Sequence, residues 1–221
     1  MISFVGAGPG DKKLITVKGR ELLETADTVI YAGSLVPKDL LSYCREDAVI
    51  HDSSRMSLDE VISVMKEEDA KGRKVVRLHT GDPSIFGAIR EQMDELEKLC
   101  MEFEVVPGVS SFTAAAAALH AEYTVPGISQ SVIITRMEGR TPVPEGEKLS
   151  DLARHGASMA IFLSAAMTGQ VSGELLAGGN DLLSGILRLG LIADFQLIQI
   201  LAHIPGIAQE ALHKIVIIFR G

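Results

Sequence analysis

Ile2-Ser3-Phe4-Val5-Gly6-Ala7-Gly8-Pro9-Gly10-Asp11 sets a short apolar run directly in front of three glycines spaced two apart. A strand that runs into a glycine turn and then into a helix is the unit from which α/β sheets are built. The spacing predicts that helix over residues 14–25, with Leu14, Val17 and Leu22 on one face. Further along, the same succession repeats. Residues 28–31 are rich in β-formers, and Ser57-x-x-Glu60 ahead of Val61, Ile62, Val64 and Met65 has the form of a capping box opening a helix. Residues 75–78 read as a strand closed by the turn Gly81-Asp82-Pro83-Ser84, after which Phe86, Ile89, Met93 and Leu96 recur at helical spacing. Residues 103–106 form another strand, stopped by Pro107-Gly108, and Ser110 or Ser111 can cap the alanine-rich helix that follows. Strands at 132–135, 159–163 and 215–219 supply a second unit, with an irregular loop at 137–147. The expectation is an α/β fold of two domains, residues 1–112 and 113–221, the first built on a mostly parallel sheet.

Composition narrows the function. Of the 221 residues, 47% are apolar and 23% charged, the balance of a folded globular chain. The net charge of -8 repels phosphate backbones, and with no Trp and 5% aromatics the chain is poor in base-stacking surfaces, so no nucleic-acid partner is expected. Cys44 and Cys100 stand 56 residues apart without a CxxC or a histidine at ligand spacing, which reads as two reduced thiols with no metal site. The first residues carry no basic segment followed by an apolar one, and the apolar stretch 186–202 is interrupted by Arg188 and Asp194. No membrane partner is expected, and the cytoplasm is the default location.

In a parallel α/β sheet the ligand crevice lies at the carboxyl ends of the strands. The segments GAGPGD, HTGDPS and PGVSS would all open there. Gly6-x-Gly8 invites a dinucleotide reading, but the third glycine of that fingerprint is replaced by Asp11, whose charge opposes a pyrophosphate. Asp82 can accept hydrogen bonds from a ligand's amine or hydroxyls, or can cap a helix beginning near Ile85; spacing alone does not choose. Ser110 and Ser111 are equally open between cap and ligand contact. His51, His79, His120 and His155 are scattered, and no GxSxG elbow supports a hydrolase triad. Glu67-Glu68-Asp69, flanked by Lys66 and Lys71, reads as a solvated helix face.

Taken together, Gly6-Ala7-Gly8-Pro9-Gly10-Asp11, Ala26-Asp27 with Val29-Ile30-Tyr31, and Arg77-Leu78-His79-Thr80-Gly81-Asp82-Pro83-Ser84 resemble the tetrapyrrole methylase family. Its members use S-adenosylmethionine (SAM) to methylate porphyrinoid intermediates. Tyr31-Ala32-Gly33-Ser34-Leu35-Val36, Pro107-Gly108-Val109-Ser110-Ser111-Phe112 and Arg136-Met137-Glu138-Gly139-Arg140-Thr141-Pro142-Val143-Pro144 are similar to the branch acting at C11 of precorrin-4 or cobalt-precorrin-4. The resemblance runs in order from residue 1 to about 179. It implies two α/β domains with the SAM cleft between them and, as in most members, a homodimer. By position it assigns Pro9, Thr80, Gly81, Asp82, Ile85, Ser110, Ser111 and Leu163 to the cofactor, and turns the GAGPGD loop toward the tetrapyrrole. Ala32, where some relatives carry an acid, argues against the uroporphyrinogen subtype. For the carboxylates of a precorrin substrate, His51, Arg55, Arg136 and Arg140 are the candidates, arginine being suited to bidentate pairing. No catalytic base is assigned.

Past Gly179 the resemblance fails. The family expects a Pro-containing strand and a Trp-Pro pair contributing adenine contacts, whereas residues 180–200 are Leu/Ile-rich and without Trp. The abrupt change suggests an altered or frame-shifted piece. The alternatives to C11 methylation are therefore methylation at another ring position and an impaired SAM- or tetrapyrrole-binding protein. A nicotinamide oxidoreductase would need a ribose-binding acid where Tyr31-Ala32 stands, and ranks last.

Overall fold

The computed structural model describes residues 1–33 and 36–179, together with the backbone of residues 215–218. The chain divides into two compact units, Met1–Ser111 and Phe112–Gly221. The altered stretch at 180–200 lies outside the described residues.

The first unit carries five strands: β1 (Ile2–Gly6), β2 (Thr28–Tyr31), β3 (Val49–Asp52), β4 (Val75–His79) and β5 (Phe103–Val106), in the order β3-β2-β4-β1-β5. All neighbours are parallel. Three helices cover the sheet: α1 (Val17–Thr25), α2 (Leu58–Ala70) and α3 (Arg90–Lys98). The alternation of side chains along each strand sorts them between two cores. Val5, Val29, Tyr31, Val76 and Leu78 pack with Leu23 of α1, while Phe4, Ile30 and Val75 pack with Met65 of α2 and Leu96 of α3. Helix α1 thus lies on one face, and α2 and α3 on the other. The chain leaves β1 over the first face toward β2, and leaves β4 over the opposite face toward β5. Because β1 and β4 are neighbours, the carboxyl edge between them is a topological switch point, where departing loops part and leave a crevice.

Several local expectations need correction. The segment after Asp11 is not one helix from Leu14. A single turn, Lys12–Leu14, precedes α1, which is started by the Thr16 hydroxyl accepting from the Gly19 N–H at 3.1 Å. Gly19 and Leu23 face the core, and Val17 is exposed. Phe86 likewise stands outside α3: it and Ala88 adopt left-handed backbone angles, φ 51° and 49°, on either side of Gly87. A side chain at Gly87 would meet the Pro83 carbonyl oxygen at 2.1 Å, so the chain turns tightly here before the helix can begin. Strand β3 carries only four residues, mostly exposed, and had too weak a period-2 pattern to be read. The capping box at Ser57 and Glu60 forms as the pattern requires.

Glu68 also departs from the solvated-face reading. It is buried, accepts from the Thr28 hydroxyl at 2.9 Å, and pairs with Lys71 and Arg73 at 2.6 Å each. Those donors pull its carboxyl down to about 2. On β4, His79 is driven to about 3 by burial and by the Arg77 charge. Arg77 itself is held by Gln92 Oε1 at 3.1 Å and the Ile30 carbonyl at 3.3 Å. Both shifts mean that the unfolded chain binds protons more readily than the native one. Stability should therefore fall as pH drops below about 6.5 through His79, and faster below about 4.5 through Glu68. Urea unfolding at pH 7, 5.5 and 4 checks this. Glu68→Gln should lower stability by about 1–3 kcal/mol at pH 7 and flatten the steep acidic limb; an unchanged limb refutes the assignment to Glu68.

The second unit opens with α4 (Ser111–Ala118), which begins at the boundary. A parallel pair, β6 (Val132–Arg136) and β7 (Ser158–Phe162), is extended by the antiparallel β8 (Ile215–Ile218). Helices α5 (Leu149–Ala153) and α6 (Thr168–Ala177) place Leu149, Ala153, Val171 and Leu175 against Met159 and Ile161. Phe112, Ala116 and Tyr123 form a separate small cluster, with the Tyr123 hydroxyl donating to the Phe112 carbonyl at 2.9 Å. Among the described residues no helix is long and apolar enough to cross a membrane.

Candidate active site at the carboxyl edge of the first sheet

The loops after β1, β4 and β5 meet at the switch point, and they meet through backbone. Ala7 N–H donates to the His79 carbonyl at 2.7 Å. Gly8 and Gly81 then exchange both hydrogen bonds, N–H of Gly8 to O of Gly81 at 3.2 Å and the reverse at 2.9 Å. Gly8 and Gly81 hold left-handed angles, φ 77° and 62°, which glycine tolerates without cost. A Cβ at Gly108 would lie 2.2 Å from the Gly81 carbonyl oxygen and 2.8 Å from Gly6 Cα; one at Gly6 would lie 2.6 Å from Gly108 Cα. Three loops from three strands therefore touch at a point where none of them has a side chain.

Asp82 locks this junction. One carboxylate oxygen accepts from the Ser84 N–H at 2.8 Å and from the Ser84 hydroxyl, and the other accepts from the Gly108 N–H at 2.9 Å. The carboxylate thus caps its own turn and ties the β4 loop to the β5 loop. No helix starts at Ile85; the Ile85 N–H closes a turn on the Asp82 carbonyl at 3.2 Å, so helix capping is not the role of Asp82. Asp11 is committed in the same way, accepting from the Lys13 N–H at 2.9 Å.

Seven of the eight positions expected to face the cofactor occupy these loops: Pro9 on the first, Thr80, Gly81, Asp82 and Ile85 on the second, Ser110 and Ser111 on the third. At Gly81 a Cβ would stand 3.8 Å from Ser111 N and 3.9 Å from Ser110 Cα, so the missing side chain leaves an open shelf beside the two serines. The segments Thr80-Gly81-Asp82-Pro83-Ser84 and Pro107-Gly108-Val109-Ser110-Ser111 carry hydroxyls, one carboxylate already bound to Ser84 and Gly108, and no basic side chain. That donor set suits an amine and sugar hydroxyls and not a pyrophosphate, so the residues present fit an adenosyl amino acid.

This first unit bears the pattern of a known family along its whole length. A profile of the tetrapyrrole (corrin/porphyrin) methylases matches residues 1–190, which include all three loops. The chain belongs to the tetrapyrrole methylase family. Relatives agree. The chain is 57% identical over 178 residues to a cobalt-precorrin-4 C(11)-methyltransferase of Methanocaldococcus jannaschii, covering 80% of this chain and 69% of the relative. It is 48% identical over 176 residues to a precorrin-4 C(11)-methyltransferase of Rhodococcus erythropolis, covering 79% and 71%. Among solved structures, a cobalt precorrin-4 methyltransferase of cobalamin biosynthesis superposes with a TM-score of 0.80 at 49% identity, over 81% of this chain and 75% of the other. A uroporphyrin-III C-methyl transferase of Thermus thermophilus, solved with S-adenosylhomocysteine, gives 0.67 at 27% identity, over 81% and 73%.

The eighth expected cofactor position of this methylase, Leu163, lies in the second unit, directly after β7. It is 52% exposed and left-handed, φ 55°, a costly state for a leucine. Ser164 beside it is fully buried; its hydroxyl donates to the Phe162 carbonyl at 2.7 Å and accepts from the Met137 N–H at 2.9 Å. The strained leucine thus sits on a fixed base, a role for Ser164 that no sequence motif announced.

Of the basic candidates for substrate, His51 lies on β3 and Arg55 in the one-turn helix Ser53–Arg55 that follows it. Arg136 has partners within its own loop. Its guanidinium donates to the carbonyls of Met137, Thr141 and Pro142, at 3.3, 3.0 and 2.8 Å, and so shapes the 137–142 loop. Arg140, on that loop, is exposed.

Proposed function

We propose that this methylase transfers the methyl group of SAM to C11 of precorrin-4 or cobalt-precorrin-4, a step of cobalamin biosynthesis. The observation that carries the proposal is the 57% identity to a relative bearing that activity. The fit of the three loops to an adenosyl amino acid stands behind it. SAM supplies a sulfonium methyl that is already electrophilic, and a ring carbon of a reduced tetrapyrrole is enamine-like and nucleophilic. The protein's part is then alignment and exclusion of water, which can account for much of the acceleration. Pro9, Thr80, Gly81, Asp82, Ile85, Ser110, Ser111 and Leu163 are assigned to the cofactor in this reading. The Gly81 shelf admits it, the Ser110 and Ser111 hydroxyls orient it, and Asp82 holds both loops still. His51, Arg55 and Arg140 are assigned to substrate carboxylates, with Arg136 fixing the loop that carries Arg140. The active form is proposed to be a cytoplasmic homodimer.

Calorimetric titration with S-adenosylhomocysteine, followed by incubation with SAM and cobalt-precorrin-4 and NMR location of the new methyl, tests this. Binding and a methyl at C11 are expected. A methyl at another carbon moves the chain to a different branch of the family. The departure of residues 180–200 from the family pattern favours a second reading, an impaired enzyme, which predicts tetrapyrrole binding without methyl transfer.

A further inference from the structure

The cations of the first unit divide into paired and unpaired. Lys18, Arg20, Arg45, Lys71, Arg73, Arg90 and Lys98 are each in an ion pair. Lys66 on α2 and Lys74 ahead of β4 are exposed and, among the described residues, in no ion pair, and so are the four cations Lys12, Lys13, Lys38 and Arg55. These last four lie just beyond the carboxyl ends of strands: Lys12 and Lys13 in the turn after β1, Lys38 opening the helical turn after β2, and Arg55 after β3. The turns after β1 and β2 touch, since Lys12 Nζ stands 5.8 Å from the centre of the Tyr43 ring. The carboxylates on the same edge are largely spent on backbone. Asp11 accepts from Lys13 N–H, Asp52 from the N–H groups of Gly33 and Ser54, and Asp82 from those of Ser84 and Gly108. Asp39 is exposed beside Lys38, and the Lys38 charge also reaches Asp52.

We propose that Lys12 and Lys13, with Lys38, form an anion-reading patch that receives carboxylates of the tetrapyrrole at the carboxyl edge of the first sheet. The identification of the anion as a tetrapyrrole rests on the methylase reading above. With a net charge of -8, the whole-protein field opposes a polycarboxylate. Attraction has to come from cations placed where the substrate docks and not already paired with a carboxylate. Lys12 and Lys13 meet that need because the Asp11 cap holds their one-turn helix directly behind the GAGPGD loop. Lysine is suited to such a patch, because a mobile ammonium follows a flexible carboxylate side chain without demanding one bidentate geometry.

The test is equilibrium binding of uroporphyrin III, an eight-carboxylate tetrapyrrole, by fluorescence at low and high ionic strength, with S-adenosylhomocysteine titrated in parallel. K12Q/K13Q should weaken uroporphyrin binding about tenfold at low salt, K12Q/K13Q/K38Q further. Both should flatten the salt dependence while leaving S-adenosylhomocysteine affinity within twofold. With cobalt-precorrin-4 as the methyl acceptor, the loss should fall on KM and not on kcat. K66Q/K74Q removes two exposed cations that are, among the described residues, in no ion pair and lie away from this edge, and should change nothing. The proposal is overturned if the wild type does not bind uroporphyrin at low salt, if K12Q/K13Q binds it as the wild type does, or if K66Q/K74Q weakens it equally. Failure of the methylase reading shows separately, as loss of methyl transfer by a wild type whose porphyrin binding still depends on Lys12 and Lys13.

Discussion

Gly108→Ala is expected to weaken S-adenosylhomocysteine binding by about a hundredfold, about 2.8 kcal/mol, and to lower the unfolding midpoint of the protein. The new methyl would stand 2.2 Å from the Gly81 carbonyl oxygen and 2.8 Å from Gly6 Cα. Both neighbours are backbone, so no side chain can rotate away. One of the two loops must move, and the movement is delivered to the Gly81 shelf and to Ser110 and Ser111. Ordinary overpacking of a core costs about 1–3 kcal/mol, and backbone that is doubly hydrogen-bonded yields less readily than side chains. Gly6→Ala should rank close behind. Gly81→Ala should be milder in unfolding midpoint, because its Cβ has 3.8 Å of room within the protein and only the left-handed angle, about 1–2 kcal/mol, opposes it. Its affinity should still fall, because the methyl stands on the cofactor shelf. Gly169→Ala, on α6 with nothing within 4 Å, should be silent or slightly stabilising. Calorimetric titration and thermal melts of the four variants give the ranking. A Gly108→Ala protein that binds as tightly as Gly169→Ala would refute the idea that this backbone junction builds the site.

The ranking also shows what was legible in the sequence. GAGPGD, HTGDPS and PGVSS each end a strand pattern, so their gathering at one edge could be argued from topology alone. Which glycines were needed for turning and which for approach could not. Gly8 and Gly81 need their angles, whereas Gly6 and Gly108 need to be small because another loop lies against them, and that is a fact about the partner loop. Asp82 was even between ligand and helix cap for the same reason, since its second partner, the Gly108 N–H, is 26 residues away. Glu68 looked like one acid in a charged run until the fold put Thr28 and Arg73 beside it. Phe86 kept the helical period with Ile89 and Met93, yet the close approach of Gly87 to Pro83 overrode it. Local pattern carried the succession of most strands and helices and the Ser57 capping box; long-range contacts decided the sheet order and the roles of individual side chains.

Asp82→Ala should be the most damaging side-chain change in the site, and Asp82→Asn separates its two conceivable roles. The carboxylate accepts from the Ser84 and Gly108 N–H groups at 2.8 and 2.9 Å. Hydrogen bonds to a charged acceptor are worth about 1.5–3 kcal/mol each, so Asp82→Ala should cost about 3 kcal/mol of stability or more. It should also lower S-adenosylhomocysteine affinity more than tenfold, because the β4 and β5 loops lose the tie that sets their spacing. Asparagine keeps one acceptor oxygen and turns an NH₂ toward the other N–H, so about half of the stability loss is expected to remain. If Asp82 acts as a brace, affinity and unfolding midpoint will fall together through the series Asp, Asn, Ala. If it instead serves the ligand directly, Asp82→Asn will lose affinity while its urea midpoint stays near the wild type. Urea titrations run with and without saturating S-adenosylhomocysteine distinguish the two, since a brace lowers the midpoint of the free protein as well as that of the complex.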